Sequence, residues 1–279
     1  MDESRMEAVL LALSPGLALG AALVVAFGIF LIRSPREHEL ASRSEGSALL
    51  PAVFIQYFYW LTDPVARALS GAGIRPNHIT GLSVVVAAGA AYALAAGYFM
   101  VGVWIFFVAI TCDLLDGLAA RSQNAESAAG AFFDSWADRV TEGLVLGGLA
   151  LYGRDTLLGG LSLWALVASY LISYARARGE ALGVSCKVGL MQRPERMFLL
   201  VIAIFFSPLA ALWLEPGAQR PVFHVAQAGV GLLALLSTVT ALRRARWIAG
   251  ALDDEESKLV DESDEAPDNQ LSKASDSSA

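Results

Sequence analysis

Four aspartates stand in two pairs within strongly apolar sequence: Asp113 and Asp116 three residues apart, Asp134 and Asp138 four apart. Either spacing puts both members of a pair on one face of a helix, so a hairpin joining the two helices can aim all four carboxylates at one place. At membrane depth such a group repels itself and is costly to desolvate unless a cation offsets the charge. Hard carboxylate oxygens select Mg²⁺, Mn²⁺ or Ca²⁺ over zinc. Two such ions about 4 Å apart are suited to grip a diphosphate and stabilise its attacking and leaving oxygens.

The residues around the carboxylates are small. Gly117, Ala120 and Gly130 leave room for a nucleotide to approach helix backbone, and Arg121 offers a guanidinium to a phosphate or to a carboxylate. Small residues alone signify close helix packing; beside four carboxylates they point to a ligand.

A second constellation is basic. Arg176 and Arg178, then Arg193 and Arg196, then Arg244 form sets of guanidiniums that can meet at one mouth. Single arginines at helix ends are usually topology anchors. Here Glu180 and Glu195 are interspersed and Pro194 opens a helix, a pattern suited to holding arginines in place around a phosphate.

The elements that must position these groups are membrane helices. The chain has 279 residues, 56% of them apolar and 17% charged, with mean hydropathy +0.54. Charge predicts spans near 8–32, 78–97, 99–121, 128–152, 156–180, 194–214 and 221–243, each close to the length that crosses a bilayer. Residues 48–69, with Phe54, Tyr57, Phe58, Tyr59 and Trp60 beside Asp63 and Arg67, read as an amphipathic interfacial helix. Basic residues at 121, 176–196 and 243–246 fit a topology with the N-terminus outside and the C-terminus inside. The formal charge of −7 arises in the tail, where ten acidic residues from Asp253 onward face only Lys258 and Lys273. That tail is predicted to be disordered. Cys112 and Cys186 have no metal or disulfide spacing.

Asp113-x2-Asp116-Gly117-x2-Ala120-Arg121-x8-Gly130-x3-Asp134-x3-Asp138 resembles the signature of the CDP-alcohol phosphatidyltransferase family at all eight fixed positions. The resemblance extends to Ile74-Arg-Pro-Asn77-His-Ile-Thr80, similar to the family's element beside the nucleotide, and covers about residues 48–246. It implies an all-α polytopic membrane protein: a six-helix bundle over residues 47–250, with an interfacial helix. Residues 1–46 add an extra N-terminal transmembrane helix and linker, and 251–279 an acidic tail.

It further implies Asp113, Asp116, Asp134 and Asp138 as ligands of two Mg²⁺ or Mn²⁺ ions, with Asp138 a ligand or the base that takes the acceptor's proton. Asn77, Thr80, Asp116, Gly117, Ala120, Arg121 and Gly130 would line the CDP-lipid site. The donor would be CDP-diacylglycerol or a similar CDP-lipid, the leaving group CMP. The protein would be a homodimer of the cell (inner) membrane with its active site facing the cytoplasm, and no nucleic-acid partner.

Arg193-Pro194-Glu195-Arg196 looks like the branch of that family whose acceptor is inositol phosphate. It implies Arg176, Arg178, Arg193, Arg196 and Arg244 as the acceptor-phosphate site, although the loop Val184–Val188 departs from the glycine-rich form of that branch. Glycerol 3-phosphate is the alternative acceptor. Serine would leave the arginines without a partner. A cation channel or transporter would explain four aspartates, but not the small residues beside them nor the basic cluster.

Overall fold

The computed structural model describes residues 21–32, 52–186 and 188–265. Eight helices occur among them: α1 (Ala21–Ile32), then α2 (Ala52–Gly71), α3 (Pro76–Ala95), α4 (Phe99–Ser122), α5 (Ala128–Tyr152), α6 (Leu157–Ala181), α7 (Arg193–Leu214) and α8 (His224–Glu265). From α3 through α7 the predicted boundaries hold within two residues, because sequence signals mark the ends. Pro76 opens α3 and Pro194 opens α7, where a missing N–H costs nothing. Ser127 caps α5, its hydroxyl accepting from the Gly130 N–H at 3.0 Å. Between α3 and α4 the chain turns through Gly97 at φ +90°.

α8 departs from expectation. It runs 42 residues, about 63 Å at 1.5 Å per residue, and so continues well into the acidic segment expected to be disordered. Its four glutamates, Lys258 and Leu259 favour helix, and no proline intervenes before Pro267. Residues 266–279 lie outside the described part, as do the first half of the predicted N-terminal span and the 33–46 linker.

Five helices, α3, α4, α6, α7 and the first 34 residues of α8, are long and apolar enough to cross a membrane. α5 is equally long at 25 residues but carries Asp134, Asp138, Arg139 and Glu142. The described part of α1 is shorter.

α4 packs on α7, α7 on α8, α8 on α6 and α6 on α5, while α3 lies between α5 and α4. These contacts close a ring of six helices. Its core is apolar, with Leu94, Phe99, Phe106, Leu146, Leu158, Leu200, Ile204 and Leu233 fully buried. α3 and α5 approach closely: a β-carbon on Gly148 would lie 2.5 Å from the Ala91 carbonyl oxygen and 2.9 Å from its Cα. Direct backbone packing of this kind is how helices associate where lipid supplies no hydrophobic drive.

α2 leans on α4, burying Ala66 against Leu115, Leu118 and Ala119. α1 reaches it through aromatic contacts, Phe30 lying 5.7 Å from both Tyr57 and Trp60. The Tyr57 hydroxyl donates to the Leu23 carbonyl at 2.6 Å.

Candidate functional site

Consecutive helices of the bundle alternate in direction, so the N-terminal ends of α3, α5 and α7 meet the C-terminal ends of α4 and α6. Every candidate site residue sits at this end of the ring. α4 and α5, which carry the four aspartates, make little contact with each other because α3 stands between them. The expected hairpin is therefore a splayed pair wedged by a third helix. The spacer turns through Asn124 in the left-handed region, φ +49°, which asparagine tolerates. It is tied down where Gln123 Nε2 donates to the Ile74 carbonyl at 2.9 Å.

Three of the four aspartates converge. Asp113, Asp134 and Asp138 each bring a carboxylate oxygen within 4.8 Å of the others. Asp116 does not join them. It is buried, and Thr80 Oγ1 on α3 donates to its Oδ2 at 2.5 Å. Three residues on from Asp113, it is offset by about 60° around α4, so its carboxylate meets α3 while that of Asp113 meets α7.

Arg193, expected at the acceptor phosphate, lies against the carboxylates. Its Nη1 and Nη2 donate to Asp113 Oδ2 and Oδ1 at 2.6 and 2.8 Å, and Nη2 lies 2.6 Å from Asp138 Oδ1. The three convergent acids and one arginine leave a formal −2. Asp138 Oδ1 is buried without a hydrogen bond of good geometry. An all-carboxylate donor set with excess negative charge fits a hard divalent cation.

The residues expected around the nucleotide gather beside this cluster. Gly117 and Ala120 follow Asp113 at helical spacing on α4, and the Arg121 guanidinium stands 5.9 Å over the Tyr59 ring of α2. A β-carbon on Gly130 would sit 3.1 Å from Ser127 Oγ and 3.7 Å from Asn77 Oδ1, so glycine there protects the α5 cap and the approach to Asn77.

Next to the cluster opens a cavity of about 320 Å³, lined among others by Asp138, Arg139, Glu142, Arg176, Arg193, Arg196 and Arg244. Four of the five arginines expected at an acceptor phosphate are present. Arg178 is not: it is exposed on α6 and absent from the lining, since two residues along a helix turn it well away from Arg176. Arg139, one residue beyond the signature, completes a set of five instead.

The arginines are not equally free. Arg196 is buried and fork-bonded to buried Glu142, Nε to Oε1 at 2.7 Å and Nη2 to Oε2 at 2.9 Å. Arg244 donates to the carbonyls of Val188 and Ile172 at 2.8 and 3.1 Å. Exposed Arg176 pairs with Glu180 one turn along, at 2.8 Å.

Glu142 is the member that sequence reasoning missed, together with Arg139. The signal was present, since Glu142 follows Asp138 by four residues and shares its helix face. It went unread because it falls outside the aspartate signature.

Helix ring, carboxylate cluster and adjoining basic cavity define a membrane transferase acting on a phosphate-linked donor. The model of the CDP-alcohol phosphatidyltransferase family matches residues 74–242, and the chain belongs to that family. It is 32% identical over 212 residues to phosphatidylinositol phosphate synthase of Streptomyces avermitilis, covering 73% of this chain and 86% of that one. With archaetidylinositol phosphate synthase of Methanothermobacter thermautotrophicus it shares 31% over 186 residues, 67% of this chain and 87% of the other. Among solved structures it resembles Mycobacterium tuberculosis phosphatidylinositol phosphate synthase with CDP-DAG bound, at TM-score 0.59 and 30% identity over 67% of this chain and 92% of that one. The same enzyme with manganese and citrate matches at TM-score 0.58 and 28% identity, over 67% and 88% of the two chains.

Proposed function

We propose that this enzyme transfers the phosphatidyl group of CDP-diacylglycerol to a hydroxyl of inositol phosphate, releasing CMP. The observation that supports this best is that Asp138 belongs both to the carboxylate cluster and to the wall of the basic cavity. A single side chain thus stands where donor and acceptor meet. The cavity volume falls within the range of roughly 300–1,000 Å³ usual for small-molecule sites, and its arginines require an anionic acceptor.

Asp113, Asp134 and Asp138 would hold Mg²⁺ or Mn²⁺, with Asp116 fixed by Thr80 on the donor side. The bound ion would polarise the diphosphate and stabilise the departing CMP. Asn77, Gly117, Ala120, Arg121 and Gly130 leave space and a cation for the nucleotide. Arg196, held by buried Glu142, and Arg244, held by two backbone carbonyls, face the acceptor's phosphate. Asp138, pointing from one compartment to the other, is placed to accept the proton of the attacking hydroxyl.

Arg176, Arg178, Arg193, Arg196, Arg243, Arg244 and Arg246 cluster toward the site end of the ring, which supports a cytoplasmic site, an outside N-terminus and an inside C-terminus. Membership of the inner membrane and a homodimeric state are proposed on family grounds.

CMP release from CDP-diacylglycerol vesicles with Mn²⁺, measured separately with inositol 1-phosphate, glycerol 3-phosphate and serine, tests the assignment. Inositol phosphate should give the highest kcat/KM. Turnover with serine alone would refute an anionic acceptor, and preference for glycerol 3-phosphate would replace inositol.

A further inference from the structure

α5 and α7 have at most marginal backbone contact; two ion pairs bridge them across the cavity. Asp138 and Glu142, one turn apart on α5, face Arg193 and Arg196 in the first turn of α7, at 2.6 Å and 2.7 Å. The first rung lies at the cation cluster and opens toward solvent, Arg193 and Asp138 being 28% and 16% exposed. The second is sealed, Arg196 and Glu142 being 4% and 2% exposed.

The sealed rung fixes a direction. Of the five N–H donors of a guanidinium, Arg196 gives two to Glu142 and one, on Nη1, to the Met191 carbonyl at 3.2 Å. Two remain, one on each terminal nitrogen. A guanidinium held by both oxygens of a carboxylate has one orientation, so those two donors have one orientation as well. Glu142 also keeps Arg196 from a competing partner. Asp138 lies one turn away on the same face and already draws Arg193 in; an unheld Arg196 would have the same attraction.

We propose that Glu142 is a positioning residue for acceptor specificity: it holds Arg196 so that its two remaining N–H groups face the acceptor's phosphate at a set distance from Asp138. The proposal rests on the reading of the cavity as a phosphorylated-acceptor site. α5 then acts as a ruler, with the carboxylate that meets the attacking hydroxyl at one turn and the anchor of the phosphate-binding arginine at the next. Acceptors are selected by the separation between their hydroxyl and their phosphate.

The test uses full-length enzyme in nanodiscs with Mn²⁺, varying inositol 1-phosphate and CDP-diacylglycerol in turn with the other saturating, with CMP release as readout. Glu142→Gln should raise the acceptor KM about tenfold or more while kcat and the donor KM move less than about threefold, the split expected when substrate positioning is lost. Glu142→Asp keeps the buried charge paired and so retains the fold. Its shorter reach draws Arg196 back, and the same split should appear at about three- to tenfold. An unchanged acceptor KM in Glu142→Asp, or an equal loss against both substrates, overturns the proposal. If wild-type enzyme takes glycerol 3-phosphate and not inositol phosphate, the acceptor reading fails. The same two variants measured with glycerol 3-phosphate still decide the role of Glu142.

Discussion

The Arg193 guanidinium on α7 closes on the Asp113 carboxylate on α4 across 80 residues of sequence, with both carboxylate oxygens engaged at 2.6 and 2.8 Å. A residue whose neighbours suggest an acceptor site thereby serves as counter-charge for the carboxylate cluster. The physical reason is local: three carboxylates within 4.8 Å attract the nearest cation that can reach them, and the first residue of α7 reaches.

Removing that counter-charge should destabilise metal-free protein. Arg193→Gln leaves the aspartates mutually repelling, and loss of one partner from a largely buried pair costs about 3 kcal/mol. Thermal unfolding in detergent should show a lower Tm without metal and a larger Tm rise on adding Mn²⁺ than wild type shows. An unchanged metal-free Tm would mean that the pair contributes nothing.

The Thr80 hydroxyl donates to the buried Asp116 carboxylate beside the Gly117 backbone N–H. Thr80→Val deletes the hydroxyl donor while keeping the side chain's shape, and a hydrogen bond to a charged group is worth roughly 1.5–3 kcal/mol. If Asp116 serves the donor, KM for CDP-diacylglycerol should rise about tenfold with the acceptor KM unchanged. A shift confined to the acceptor would place Asp116 on the wrong side.

Two neighbouring glycines make a matched control for the α3–α5 contact. Gly148→Ala drives a methyl group into the Ala91 backbone, whereas a β-carbon on Gly147 meets nothing within 4 Å. Overpacking of this kind costs about 1–3 kcal/mol. Gly148→Ala should lower Tm and activity together, since α3 carries Asn77 and Thr80, while Gly147→Ala leaves both unchanged. Equal behaviour of the two would contradict the close approach.

The arginines should rank by burial and by whether they line the cavity. Arg244→Gln should raise the acceptor KM about tenfold or more, in keeping with roughly 1.5–3 kcal/mol for a charged hydrogen bond. Arg178→Gln, on an exposed position outside the cavity, should stay within about twofold, as surface changes usually do. The reverse order in steady-state kinetics would show that the cavity is not the acceptor site.

By itself the sequence determined the membrane class, the ends of α3 through α7, and that paired aspartates meet at one end of the helices. Each of these is written in local terms: uncharged runs of bilayer length, prolines and a serine at helix starts, and aspartates at helical spacing. The reach of α8 into the acidic segment was also a local matter, visible in its helix-forming residues, yet composition alone argued for disorder.

Tertiary structure decided how these pieces are divided between two sites. Only the packing of α3 and α7 against α4 shows that Asp116 meets Thr80 while Asp113 meets Arg193. Only the facing of α5 and α7 shows that Arg193 answers Asp113 and Asp138 while Arg196 answers Glu142. Helical spacing tells which residues share a face but not what that face meets, and for a charge in a low-dielectric interior the partner decides the role.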